Sequence, residues 1–107
     1  MARMGAEGSF PNEVTEEWGS YTLIDVRSQE EWNEGHINGA ILIPHTEIRH
    51  KISEVVPDKT RSIKVYCRSG GRASTALNTL KEMGYQNVDN LGGFHHAKQI
   101  IKDAPEE

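Results

Sequence analysis

The chain has 107 residues, 36% of them hydrophobic and 26% charged, which is enough apolar material for one modest core and too much for a disordered chain. Twelve Lys and Arg against sixteen Asp and Glu leave a formal net charge of −4, which argues against a general nucleic-acid binder. The longest apolar run, Ala40 to Ile43, is far too short to span a membrane, and the single cysteine, Cys67, excludes an intramolecular disulfide and any zinc site built on two or four cysteines.

The opening residues, MARMGAEGSFPN, hold no apolar segment of the kind that drives export. On that reading the chain is cytoplasmic; a periplasmic location is expected only if an export signal once preceded it. Residues 1–13 read as an N-terminal extension, 14–104 as a single domain and 105–107 as a tail. Within the domain, Thr22 to Val26 is a short apolar, β-branched run that predicts a buried strand. Ser28-Gln-Glu-Glu31 is a capping box that starts a short helix to about Asn33, stopped by Gly35. Ala40 to Ile43 predicts a second buried strand, ended by Pro44. Ile48, Ile52, Val55 and Val56 recur at helical spacing, so a helix is expected over 46–55, with Pro57 closing it. Ile63 to Cys67 predicts a third strand. Ala73, Ala76, Leu77, Leu80 and Met83 form the strongest helical stripe, ended by Gly84. Val88 to Leu91 predicts a fourth strand, after which Gly92-Gly93 turns the chain into a last helix from Phe94 to Lys102. Strands alternating with helices through short links define an α/β class, with a central parallel sheet and helices on both faces.

Charge is distributed unevenly. Met1 to Gly35 holds two basic and eight acidic residues, whereas Lys59 to Lys81 holds six basic residues and no carboxylate. Such a stretch suits a small anion, although on charge alone a solvated basic face is the plainer alternative.

Ligands of parallel α/β sheets sit at the carboxyl ends of the strands, and one βα loop there stands out. Cys67 ends the third strand, and Cys67-Arg-Ser-Gly-Gly-Arg72 leads straight into the strong helix. The paired glycines Gly70 and Gly71 allow successive backbone N–H groups to turn inward as an anion nest, and the helix N-terminus adds partial positive charge. Both favour a thiolate over a thiol. Arg68 and Arg72 lie in the same loop, and Arg72 opposes the helix dipole, which suggests that it meets an anion. The bland alternative is an inert buried cysteine beside a glycine turn. A phosphatase cradle has five residues between its Cys and Arg; here there are four, Arg68, Ser69, Gly70 and Gly71, a ring better suited to one large anionic sulfur than to phosphate. A papain-like acyl transferase would need one of His36, His45, His50, His95 or His96 as base, and sequence cannot pair them with Cys67.

Several linked motifs now resemble a known family. Leu23-Ile-Asp-Val-Arg27 with Glu31-Trp32, Gly35-His-Ile-Asn-Gly-Ala40 with Ile43-Pro44, Val65-Tyr-Cys-Arg-Ser-Gly-Gly-Arg72, Leu80, Met83-Gly-Tyr85 and Leu91-Gly-Gly93 are similar to the single-domain rhodaneses, thiosulfate sulfurtransferases, over about residues 20 to 94. Val56-Pro-Asp-Lys59 further resembles the small bacterial phage-shock type. The resemblance implies a three-layer fold. It also implies that Cys67 is the nucleophile carrying sulfur as a persulfide, with Arg68, Ser69, Gly70, Gly71 and Arg72 binding the substrate. Arg27 would pair with Glu31, Asp25 would support the loop, and His36 would pack before the second strand.

The donor implied is thiosulfate or another sulfane-sulfur compound. The acceptor is cyanide or a cellular thiol such as glutathione or thioredoxin. No metal and no cofactor is implied, His95-His96 pointing to different helix faces, and a monomer is expected. A non-catalytic rhodanese-like binding or sulfur-carrier module is the alternative; a cysteine phosphatase or arsenate reductase is disfavoured by loop length. Two departures stand out: Ala97 replaces a Trp common four residues after the Gly-Gly pair, and the segment before Tyr21 is atypical, with Val14 and Trp18 as expected core contacts.

Overall fold

A computed structural model describes residues 21–102; Val14 and Trp18 lie outside them. Four strands form one sheet in the order β2-β1-β3-β4, every pair parallel. They are β1 (Tyr21–Asp25), β2 (Ile41–Leu42), β3 (Ser62–Cys67) and β4 (Asn87–Gly93). The helices are α1 (Gln29–Glu34), α2 (Ile48–Val55), α3 (Gly71–Glu82) and α4 (Phe94–Lys102), with a 3-10 turn at His45–Glu47 before α2.

β3 is flanked on both sides and covered on both faces, so Ile63 to Cys67 are all buried. Its side chains alternate between two cores. Ile63, Val65 and Cys67 join Ile24, Val26, Ile48 and Ile52 and the Ala73, Ala76 and Leu80 stripe of α3. Tyr66 faces the other way, into a smaller cluster with Leu23, Ile37, Leu91 and Ala97 of α4. Helices therefore cover both faces, as the strand–helix alternation predicts. Leu80 is fully buried, and its truncation to Ala is expected to cost about 2–5 kcal/mol.

The cap expected at the start of α1 forms as read. Glu31 N–H donates to Ser28 Oγ at 3.2 Å while Ser28 N–H donates to Glu31 Oε1 at 3.0 Å, the reciprocal capping box of α1. Three expectations need correction. The second strand is only Ile41–Leu42 and is an edge strand, paired with β1 alone among the described residues, so Ile41 is 39% exposed and not buried. The helix expected over 46–55 begins as a 3-10 turn and becomes α-helical only at Ile48. The fourth strand runs on to Gly93, because the register advances from Val65↔Asn90 to Cys67↔Gly93, two residues on β3 and three on β4. That bulge carries the glycine pair alongside Cys67.

No helix among the described residues is long and apolar enough to cross a membrane. The basic stretch is also divided by the fold. Arg61 bonds to Thr22 and Tyr21 at the amino end of β1, and Lys59 Nζ caps the Met83 carbonyl, whereas Arg68 and Arg72 sit at the carboxyl end of β3. The six cations therefore do not all lie at one end of the sheet.

Candidate active site

Cys67 is the last residue of β3, with only 1% of its surface exposed, and its Sγ accepts the Gly70 N–H at 2.8 Å. Its hydrogen-bond partner among the described residues is thus a backbone amide and not a histidine. Gly70 holds φ +102°, a left-handed conformation that an L side chain adopts only with strain, and it is the N-cap of α3 without offering a side-chain cap. Gly70 therefore leaves the first-turn N–H groups of α3 without a side-chain cap. A Cβ on Gly71 would meet nothing within 4 Å, so a side chain at this position would clash with nothing in the fold. Backbone donors and a bare helix N-terminus together suit a thiolate or a persulfide anion.

The two loop arginines differ. Arg68 is exposed, and its guanidinium has no hydrogen-bond or ion-pair partner among the described residues. Arg72 is gripped by Glu31, with Nη1 to Oε1 at 2.7 Å and Nη2 to Oε2 at 2.9 Å. The Arg72 bond holds the Glu31 carboxyl down to about 2, with the Ser28 bonds adding to it. Arg72 is held charged chiefly by Glu31, with smaller attractions from Cys67 and Asp25. Its offset against the helix dipole therefore comes from within the chain.

This pairing corrects the expected Arg27–Glu31 bridge. Arg27 pairs with Asp25: Nη2 lies 2.8 Å from Oδ2 and Nε 3.0 Å from Oδ1, both side chains almost wholly buried. Arg27 also donates to the Gly35 carbonyl and lies 4.5 Å over the Phe94 ring. Asp25 makes no bond to the cysteine loop. It accepts the Tyr66 hydroxyl at 2.8 Å, and that hydroxyl accepts the Ile37 N–H at 3.1 Å. Its bond to β3 is thus to Tyr66, the residue next to Cys67. Burial, chiefly, pushes the Tyr66 phenol far above its ordinary range. Tyr66, Phe94 and Asn90 are the site's neighbours that sequence reasoning missed; only the strand alternation next to Cys67 could have marked Tyr66.

His36 stacks on Trp32 with ring centroids 3.5 Å apart and stays exposed, and His96 Nδ1 bonds the Leu91 carbonyl. Among the described residues no cluster of three or more His, Cys, Asp or Glu side chains could hold a metal ion.

A parallel sheet that delivers one buried cysteine to a glycine loop and a helix N-terminus is an α/β arrangement fit to hold negative charge at that sulfur. The family profile described as rhodanese-like domain matches residues 11–99. The chain belongs to the rhodanese-like family, and its enzyme class is sulfurtransferase. It is 42% identical over 86 residues to the thiosulfate sulfurtransferase PspE of Escherichia coli K12, spanning 80% of this chain and 78% of that protein. It is 39% identical over 85 residues to the adenylyltransferase and sulfurtransferase uba4 of Ogataea parapolymorpha, aligning with 78% of this chain but only 22% of that longer protein. A solved structure described as rhodanese with anions from E. coli superposes with a TM-score of 0.70 at 42% identity, covering 72% of this chain and 91% of that one.

Proposed function

We propose that the chain moves the outer sulfur of thiosulfate to a thiophilic acceptor through a persulfide on Cys67. The observation that carries this reading is the Gly70 N–H aimed at Cys67 Sγ from 2.8 Å, at an uncapped helix N-terminus. The Cys67 thiolate attacks the sulfane sulfur; the S–S bond of thiosulfate breaks, and sulfite leaves with its electron pair. The negative charge passes to the terminal sulfur of the persulfide, where the loop N–H groups stabilise it. Cyanide, or a cellular thiol such as glutathione or thioredoxin, then takes that terminal sulfur, and the thiolate returns.

In this cycle Arg68 meets the sulfonate oxygens at the rim, while Ser69, Gly70 and Gly71 supply the nest. Arg72 acts from behind, anchoring the start of α3 through Glu31. Asp25 and Arg27 keep the end of β3 in place. The cycle uses no metal or organic cofactor, and the same name, thiosulfate sulfurtransferase, is carried by the E. coli relative.

The test is intact-mass spectrometry after incubation with thiosulfate. Cys67 is expected to gain one sulfur atom, which cyanide or dithiothreitol removes, and Cys67→Ser is expected to fold yet gain nothing. Turnover of thiosulfate by the Ser variant would overturn the assignment.

A further inference from the structure

The end of β4 grips the cysteine loop from outside. Phe94 N–H donates to the Arg68 carbonyl at 3.3 Å. Asn90 Nδ2 reaches the Gly70 carbonyl at 3.5 Å and Ser74 Oγ at 3.3 Å, while Asn90 Oδ1 accepts the Gly92 N–H at 2.7 Å. One side chain thus ties the β4 bulge to the first turn of α3. Gly93 lies so close that a Cβ there would sit 2.6 Å from the Arg68 carbonyl oxygen and 3.3 Å from Ser69 Cα. Those atoms are backbone, so no change of rotamer relieves the contact.

The carbonyl of a trans peptide points opposite to the N–H that follows it, and the chain has no cis bonds among the described residues. Drawing the Arg68 and Gly70 carbonyls toward β4 and α3 therefore turns the Ser69 and Gly71 N–H groups away from those partners. Between them, Gly70 N–H already points at Cys67 Sγ.

We propose that Asn90 is a positioning residue of the sulfur cradle: the Phe94 N–H holds the Arg68 carbonyl, the Ser74 N–H holds the Gly70 carbonyl at 2.9 Å, and Asn90, bridging Gly70, Ser74 and Gly92 beside the close approach of Gly93, locks this arrangement so that the Ser69, Gly70 and Gly71 N–H groups converge on Cys67. The inference deepens the sulfur-transfer reading and rests on it for the persulfide, though not for the thiolate. Asn90 itself touches no reacting atom.

Two variants of the full chain test it, Asn90→Ala and Asn90→Ser. Serine keeps an oxygen for the Gly92 N–H but is too short to reach the Gly70 carbonyl. The readouts are the rate of Cys67 alkylation by iodoacetamide at fixed pH, the rate of persulfide formation with thiosulfate, and the thermal midpoint. Both variants are expected to alkylate about three- to tenfold more slowly than the unmodified chain, as weakly held donors stop facing the sulfur. Persulfide formation is expected to slow in parallel, while serine recovers most of the thermal midpoint. If Asn90→Ala fails to fold, the serine variant decides alone. Alkylation of Asn90→Ser at the unmodified rate would reduce Asn90 to a turn residue and overturn the proposal. Failure of the unmodified chain to form a persulfide would instead sink the sulfur-transfer reading and leave the alkylation comparison decisive for the cradle.

Discussion

Glu31 and Arg72, forty-one residues apart, meet in two parallel hydrogen bonds of 2.7 and 2.9 Å that join α1 to the start of α3, the helix after the cysteine loop. The same carboxylate closes the α1 capping box through Ser28, so one side chain caps the start of one helix and anchors the start of another.

That double use gives an acid signature. Because Arg72 lowers the Glu31 carboxyl from 4.5 to about 2, the stabilisation is present above pH 4.5 and is lost as pH falls through the window down to about 2. Glu31→Gln keeps a capping-box residue at its position but loses the ion pair. It is expected to cost about 1–2 kcal/mol at neutral pH, discounted because Arg72 is 31% exposed, and little at pH 2. Urea unfolding of both proteins across this range measures it; a constant difference between them would contradict the pairing.

The two loop arginines are expected to behave differently. Arg68→Ala removes an exposed cation and is expected to raise KM for thiosulfate about three- to tenfold, with less effect on an uncharged sulfur donor. Added salt is expected to reproduce part of that loss in the unmodified chain. Arg72→Ala frees Glu31 beside the loop and is expected to lower kcat/KM for charged and neutral donors alike. Steady-state kinetics on both donors decide this, and equal sensitivity of the donors to Arg68→Ala would remove its substrate role.

Asp25→Asn leaves the buried Arg27 guanidinium without its counter-charge. Truncating one partner of a buried pair costs about 3–5 kcal/mol. The denaturant midpoint is expected to fall accordingly. Tyr66→Phe, which leaves the Ile37 N–H without its acceptor, is expected to cost about 1–3 kcal/mol. A loss under 1 kcal/mol for Asp25→Asn would mean that the network matters little to the fold.

Alkaline pH provides a fourth check. Burial raises the Tyr66 phenol well above its ordinary value of 10.0, and the Tyr85 phenol is raised by burial as well. A raised folded value means that the stabilisation is whole below pH 10 and is lost as pH climbs above it. The tyrosinate absorbance of Tyr66, isolated by difference against Tyr66→Phe, is expected to appear only together with loss of circular dichroism. Its appearance in a still-folded chain would show the hydroxyl to be open to solvent.

The sequence by itself determined the alternation of strands and helices, the cap at Ser28, the stops at Pro57 and Gly84, and the cysteine loop at a strand's carboxyl end. These are local matters: side-chain period, cap chemistry and glycine conformation act within a few residues. Tertiary structure decided which charge meets which. The family resemblance implied Glu31 for Arg27, but the pleat turns Arg27 into the Tyr66 face beside Asp25, leaving Glu31 to the helix that arrives forty-one residues later. It also decided the length of β2 and β4, because a strand ends where its neighbour stops pairing, and pairing depends on the whole sheet order. The grip of Asn90 and Gly93 on the Cys67 loop was illegible for the same reason: it depends on one extra residue in the β4 register, which only the packed sheet fixes.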